Sequence, residues 1–342
     1  MRPRMIEVPD NSEEINALAC ERGWSDGLPI VPPTEDRVQR VLGYLKRDPN
    51  EVVATLPPRM GAATVLHIAI NAVMAGCLPE YVPVVIAAIE AVADPKFNLQ
   101  VIETDGNPAA PLTIVNGPVR KSIKMNWGRN ALGHGNRANA TIGRAVRLCL
   151  LNIGGAKPGK AALTLLGQPG RYVFCMAEDE EGNPWEPLHV ERGFSAADST
   201  VTVVGATGTI NVLCGTMYNV RDMLTLIASA MSCMGSNNVL VGDGEPMAVL
   251  TRGHAEMLWH EGLSKADVKR LVYEKSGFPS ANLPPTKRRE RIEVVEKNGR
   301  IRPARRPEDI MVLVAGGPET HHAMVIPTLG DTCAITRRVR MP

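Results

Sequence analysis

In the stretch NAVMAGCLPEY, residues 71 to 81, Cys77 stands three positions ahead of Glu80. A thiol just before a helix N-terminus feels the positive end of the peptide dipoles, which favours the thiolate. Glu80, in the first turn of the helix that Pro79 opens, can complement that dipole or exchange a proton with a substrate. The pair predicts a nucleophilic cysteine with an acid–base neighbour, set against the plainer reading of a buried thiol beside a turn. His322 follows His321 after AGGPET and is a further acid or base. Adjacent histidines in a strand face opposite sides, so together they make a metal site only in an irregular loop. Cys214, in a loop after a strand, is a second candidate thiol.

Other residues suit binding. GHGNRA, starting at Gly133, fits a loose dinucleotide fingerprint, yet no strand directly precedes it and no acidic residue stands about 20 positions later. A glycine-rich turn feeding a helix remains, with Arg137, Asn139 and Arg144 in that helix. Backbone donors plus guanidinium groups at a helix start suit a carboxylate or phosphate, the alternative being a purely structural turn. Asn116 ends an apolar strand, where side chains line α/β clefts. Glu178 is the member of the acidic run 178 to 181 nearest a strand end. His254, Glu256 and His260 lack the H-E-x-x-H spacing of a zinc helix, so no metal set is assigned.

These residues need a scaffold, and the apolar pattern supplies one. GAATVLHIAINAVMAG and PEYVPVVIAAIEAVAD are apolar on nearly every face, which predicts two buried helices forming a hairpin. FNLQVIET, PLTIVNG, RYVFCMAE, TVTVVGA, NVLVG and MAVLT read as strands, and the last unit, DIMVLVAGGPETHHAMVIPTLGDTCAITRRV, places a strand ahead of the histidines and ends in another. RANATIGRAVRLCLLNI and VRDMLTLIASAMSCM read as helices, a further helix starts near Gly253, and Ser264 with Asp267 forms a capping box for the next. The polar, basic stretch FPSANLPPTKRRER is expected to be exposed.

The expected fold is α/β, with two subdomains of mixed sheets flanked by helices: residues 1–190, holding the helical hairpin, and residues 191–342. LTIVNGP, VTVVGAT and VLVAGGP share an apolar strand with a glycine-bearing exit, which raises a diverged internal strand-loop-helix repeat whose loops converge on one site. Cleft pockets between subdomains are common ligand sites, and the hairpin is an alternative oligomer interface.

Among 342 residues, 38 lysines and arginines meet 36 aspartates and glutamates, leaving a net charge of +2 that makes no electrostatic case for nucleic acid. Aromatic residues are too sparse for base stacking. No apolar run approaches the ~18 residues of a membrane span, and the start MRPRMIEVPDNSEE lacks a signal-peptide core. A cytoplasmic protein with a small-molecule partner is expected. The seven cysteines are odd in number and never spaced C-x-x-C, so no disulfide framework follows.

WSDGLPIVPPTEDRV, NAVMAGCLPEY, NGP, RANATIGRAVRL and SKADVKRLVYE together resemble the large bacterial proteins linked with the UGSC-motif (seleno)protein group, from about Trp24 to the C-terminus. The Sec-Gly-Ser-Cys tetrapeptide that names the group does not occur here. The resemblance implies an intracellular bacterial enzyme related to thiol or selenol chemistry, and adds weight to Cys77, Glu80, Asn116, Arg137, Asn139 and Arg144. The leading expectation is a cysteine-dependent hydrolase or lyase acting on a small polar or anionic metabolite. In it Cys77 attacks, Glu80 or His322 moves protons, and Arg137 with Arg144 holds the anion. The alternatives are a thiol oxidoreductase working with a redox partner protein, a metal-dependent hydrolase using the histidines, and a non-catalytic binding protein. Cofactor need stays open.

Overall fold

The computed structural model describes residues 5–215, 219–241, 244–286 and 296–342. It is an α/β fold in which two four-stranded mixed sheets lie face to face, each covered on its outer side by helices.

The first part of the chain is helical: α1 (Ser12–Glu21), α2 (Glu35–Leu45), a hairpin of β1 (Val52–Leu56) and β2 (Gly61–Thr64), then α3 (Val65–Ala75) and α4 (Val82–Val92). The Thr64 hydroxyl caps α3 by accepting from the His67 N–H, and Gly76 ends it in the left-handed region at φ 91°. Proline in the first turn starts α4, and nearly all of its side chains are buried. FNLQVIET is no strand: it forms α5 (Leu99–Thr104), entered through Asn98 at φ 56°. Packing of Leu99 and Ile102 into the core overrides the β preference of Val101 and Ile102.

β3 (Ala110–Asn116) leads through α6 (Val119–Ser122) and α7 (Arg137–Asn152) to β4 (Cys175–Ala177), then α8 (Leu188–Glu191) and β5 (Thr200–Ala206). β6 (Ile210–Leu213) and α9 (Val220–Met231) follow. NVLVG supplies one helical turn, α10 (Asn237–Leu240), in place of the expected strand. Asn238 there is buried and bonds Thr328 through both side-chain and backbone groups, an anchoring that propensity does not register. Next come β7 (Met247–Leu250), α11 (Arg252–His260) and α12 (Lys265–Lys275), whose Ser264–Asp267 capping box is present. A small sheet of β8 (Phe278–Pro279), β9 (Glu296–Lys297) and β10 (Arg300–Ile301) precedes β11 (Met311–Val314), β12 (His322–Ile326) and β13 (Ile335–Arg338). Residues 287–291 of the basic stretch lie outside the described residues.

The first sheet runs β13, β5, β3, β4, with β3 and β4 parallel and the other neighbours antiparallel. The second runs β6, β12, β7, β11, with β7 and β11 parallel and the others antiparallel. The two orders match. In each half of the chain three strands build one sheet, and a fourth crosses into the other: β6 after β5, and β13 after β12. The crossings bond to each other, Thr207 N–H to the Pro327 carbonyl and Leu329 N–H to the Gly205 carbonyl, both at 2.8 Å. The repeat is therefore of strand order. The three glycine-bearing strand ends of LTIVNGP, VTVVGAT and VLVAGGP occupy non-equivalent places, in β3, β5 and β11. Residue 190 falls between β4 and β5, so strands from both sides of it share the first sheet.

Side chains alternate along each strand, and the alternation separates three apolar layers. Leu112, Ile114, Met176 and Val204 point from the first sheet toward Val249 and Leu313 of the second. Val115, Cys175, Val201 and Val203 face the helices α3, α4 and α7. Leu250, Val312, Val314 and Val325 face α9, α11 and α12. At Gly143 a Cβ would lie 2.9 Å from the Phe174 nitrogen, so only glycine lets α7 approach β4 this closely. No helix among the described residues is long and apolar enough to cross a membrane.

Candidate functional site

Where the parallel strands β7 and β11 end, the layer between the sheets opens into a cleft of about 840 Å³. Parallel strand ends are where open α/β sheets leave room for ligands. Phe174, Met176, Val249 and Met324 form its apolar floor. Asn130, Gln168, Thr209, Asn211, Thr251 and His322 supply polar groups, and Gly133, Gly170, Gly208 and Gly316 bring backbone close. Among the described residues that line it there is no lysine, arginine, aspartate or glutamate.

Thr251 follows β7 and caps α11. Its hydroxyl donates to the Glu319 carbonyl at 2.6 Å, accepts from the His254 N–H at 3.4 Å and lies 3.0 Å from Nδ1 of His254. Nε2 of His254 lies 2.7 Å from the Thr320 carbonyl. A carbonyl only accepts, so Nε2 carries the proton of the neutral ring, and the Nδ1 lone pair competes with the Glu319 carbonyl for the single proton of the Thr251 hydroxyl. His254 is 1% exposed, and burial pushes its pKa below the ordinary imidazole value. A hydroxyl on a cleft wall, a neutral imidazole behind it and a carbonyl fixing the tautomer form a nucleophile–base–orienter arrangement. His322, exposed at the start of β12, presents a second imidazole to the same cleft.

The other sequence-predicted residues gather elsewhere. Cys77 is buried, its thiol donates to the Thr141 carbonyl at 3.3 Å, and burial pushes its pKa up to about 12. The expected activated thiolate is thus reversed in direction, because loss of solvent outweighs both that bond and nearby Arg137. Glu80 is half-buried in the short 3₁₀ turn Pro79–Tyr81, and no hydrogen bond or ion pair joins it to Cys77 among the described residues. Arg137 donates to the Gly76 carbonyl at 2.9 and 3.1 Å, closing the end of α3. Arg144 does hold a carboxylate, but that of Asp26, in a two-pronged pair at 2.8 and 2.9 Å. Burial opposes ionisation of Asp26, and Arg144 nonetheless holds its carboxyl below the usual range. Asn139 accepts from the Asn126 N–H and donates to the Asn126 and Ala131 carbonyls, so it shapes the loop that carries Asn130 rather than an anion. Cys214 is buried and lines no part of the cleft.

Asn116 and Glu178 do meet, at the ends of β3 and β4. Glu178 accepts from Asn116 Nδ2 at 2.6 Å, the Leu188 N–H at 2.8 Å and Asn183 Nδ2 at 2.9 Å. It is fully buried, and burial pushes its pKa up. Asn116 also donates to Glu180, which pairs with Arg120 at 2.8 Å. Arg120 is 1% exposed, lies over the Trp127 ring at 4.8 Å and bonds Glu181 as well. His189 is wholly buried 3.9 Å from Glu180, and burial lowers its pKa. This closed network ties β3, β4 and α8 together and lies outside the cleft.

Of the sequence candidates, His322 alone lines the cleft. Thr251 and His254 went unassigned as a pair, since a threonine three residues ahead of a histidine reads as a helix cap. Asn130, Gln168 and Thr209 lie in loops and Asn211 in the short strand β6, none with a spacing signal. Searched against models of protein families, the chain matches none, and no curated protein matches it either.

Proposed function

We propose that this protein is a cytoplasmic hydrolase or lyase for a small polar molecule bound between the two sheets, with Thr251 and His254 at its reactive centre. The observation that carries this reading is Thr251 among the cleft-lining residues, with its hydroxyl 3.0 Å from Nδ1 of a buried His254 whose Nε2 faces the Thr320 carbonyl. In the reaction the hydroxyl turns its proton from the Glu319 carbonyl to Nδ1 of His254, which takes it as Oγ1 attacks a carbonyl carbon, and His322 supplies a proton to the departing group. Water then releases the acyl group from Thr251. The cysteine route is set aside because no cysteine lines the cleft among the described residues. A lining without charged side chains favours a neutral substrate over the anionic one expected from Arg137 and Arg144. The apolar floor would take its hydrocarbon face, and the Asn211 amide with the Gln168 side-chain oxygen its polar edge.

A β-lactone probe tests the reading. Attack opens the lactone ring, acylates Oγ1 and leaves the released alkoxide protonated. We expect an adduct on Thr251 by peptide mass spectrometry, strongly reduced in His254→Gln. Absence of a Thr251 adduct, or equal labelling in that variant, refutes it.

A further inference from the structure

At the opposite end of the same inter-sheet layer, by Met311 at the start of β11, lies a second pocket of about 500 Å³. α12 sends Lys265 and Lys269, one turn apart, to its wall, where they are only 3% and 7% exposed. Both ammonium groups converge on Glu191: Lys265 Nζ lies 2.7 Å from Oε2, and Lys269 pairs with Oε1. Lys265 also donates to the Glu186 carbonyl at 3.1 Å. Burying an ammonium is costly unless it is paired, and one carboxylate serves two of them here. Arg192 adds a third positive group, tied to Thr336 through Nε at 2.7 Å. Half-buried Glu245 accepts from the Ala334 N–H and contributes a second negative one. The interior of the described lining therefore carries one positive charge in excess, three against two. The rim has the opposite sign, with Glu186 and Glu308 exposed. Leu188, Ala266 and Met311 offer a small apolar surface between them.

We propose that this pocket binds a small zwitterion of the α-amino-acid type. Its carboxylate is held by Lys265, Lys269 and Arg192 inside, and its ammonium by Glu186 and Glu308 at the mouth. Charge-assisted hydrogen bonds to ammonium and guanidinium groups are the strong class, and the rim carboxylates disfavour ligands that carry only negative charge. The pocket shares no lining residue with the cleft at Thr251, so this site stands independently of the reaction assigned there.

Calorimetric titration of the full chain with glycine, acetate and methylammonium at low salt tests the assignment. Glycine is expected to bind, with acetate and methylammonium each about tenfold weaker or worse, since each loses one set of charge-assisted bonds. Lys269→Met is expected to weaken glycine by at least the same factor. Glu186→Gln with Glu308→Gln, both on the exposed rim, is expected to weaken glycine while leaving acetate unchanged or tighter. Should the lysine variant fail to fold, the rim pair decides the matter. The assignment is overturned by no glycine binding, by acetate binding as tightly as glycine, by an unchanged glycine affinity in a folded Lys269→Met protein, or by rim variants that leave glycine unaffected.

Discussion

Replacing Arg120 by methionine keeps the length of a buried side chain and removes its charge. Arg120 Nη2 lies 2.8 Å from the Glu180 carboxylate, Nη1 lies 2.9 Å from the Glu178 carbonyl, and Nε lies 3.2 Å from the Gly117 carbonyl. Removing one partner of a buried pair costs ~3–5 kcal/mol because the other charge stays behind unpaired. Glu181 is 43% exposed and adds little to that figure, since water screens it. Its titration nevertheless sets the sign with pH. Burial opposes its ionisation, but Arg120 and Lys121 together hold its carboxyl down to about 2. A depressed folded pKa gives stability that is present above the unfolded value of about 4.3 and lost as pH falls through the folded one. In Arg120→Met the carboxyl of Glu181 loses the cation that holds it down and takes up a proton at higher pH. Urea unfolding should show a loss of ~3–5 kcal/mol at about pH 7.5 and a narrower gap at about pH 4. A loss under ~1 kcal/mol, or a gap equal at both pH values, refutes the view of Arg120 as the keystone of a buried ionic network.

Asn139→Ala strips partners from three backbone groups of the 126–131 loop. It should cost ~2–4 kcal/mol in urea unfolding and speed amide exchange in the Asn130 segment. Iodoacetamide applied to the native protein should modify the exposed Cys20, Cys233 and Cys333, while buried Cys77, Cys149, Cys175 and Cys214 react only after unfolding; rapid native labelling of Cys77 would restore the thiolate reading. Burial lowers the pKa of His254, so its base form persists below the ordinary value of about 6.5. On its acid side the rate of Thr251 labelling should therefore fall only below that pH, and a rate still climbing well above pH 7 speaks against His254 as the base. The same lowered pKa gives stability that is present above about 6.5 and lost as pH falls from there through the folded value.

Much of the scaffold was legible because burial on all sides leaves a plain mark. α3 and α4 are apolar around their whole circumference, β3 and β5 are runs of small and branched residues, and Ser264 with Asp267 writes the start of α12 into four letters. Short elements were not legible. Six residues at Leu99–Thr104 and four at Asn237–Leu240 are too few for a periodicity to show, and contacts from distant segments decide them. β12 escaped for a related reason, as its pairing with β6 and β7 is invisible in the five residues from His322. The site was harder still. Thr251, Gly208 and Gln168 come within one cleft only because two sheets stack, and no local spacing encodes a stacking partner. Cys77 shows the converse, since its place near a helix start was readable and its burial matches the plainer of the two readings set side by side.

The exchange of fourth strands has a consequence on the ribosome. β3, β4 and β5 have all been made by residue 206, yet their sheet waits for β13, which arrives only at residues 335–338. At ~5–20 residues per second the nascent chain spends several seconds with one side of β5 unpaired. β6 meanwhile has emerged before the sheet it joins exists. Open strand edges recruit whatever strand is at hand. On a polysome the nearest supply is another copy of this chain, whose own β13 fits the vacancy as well as the one still being translated. A stalled or truncated chain is therefore poised to complete itself in trans, joining two polypeptides by the same exchange that normally closes one.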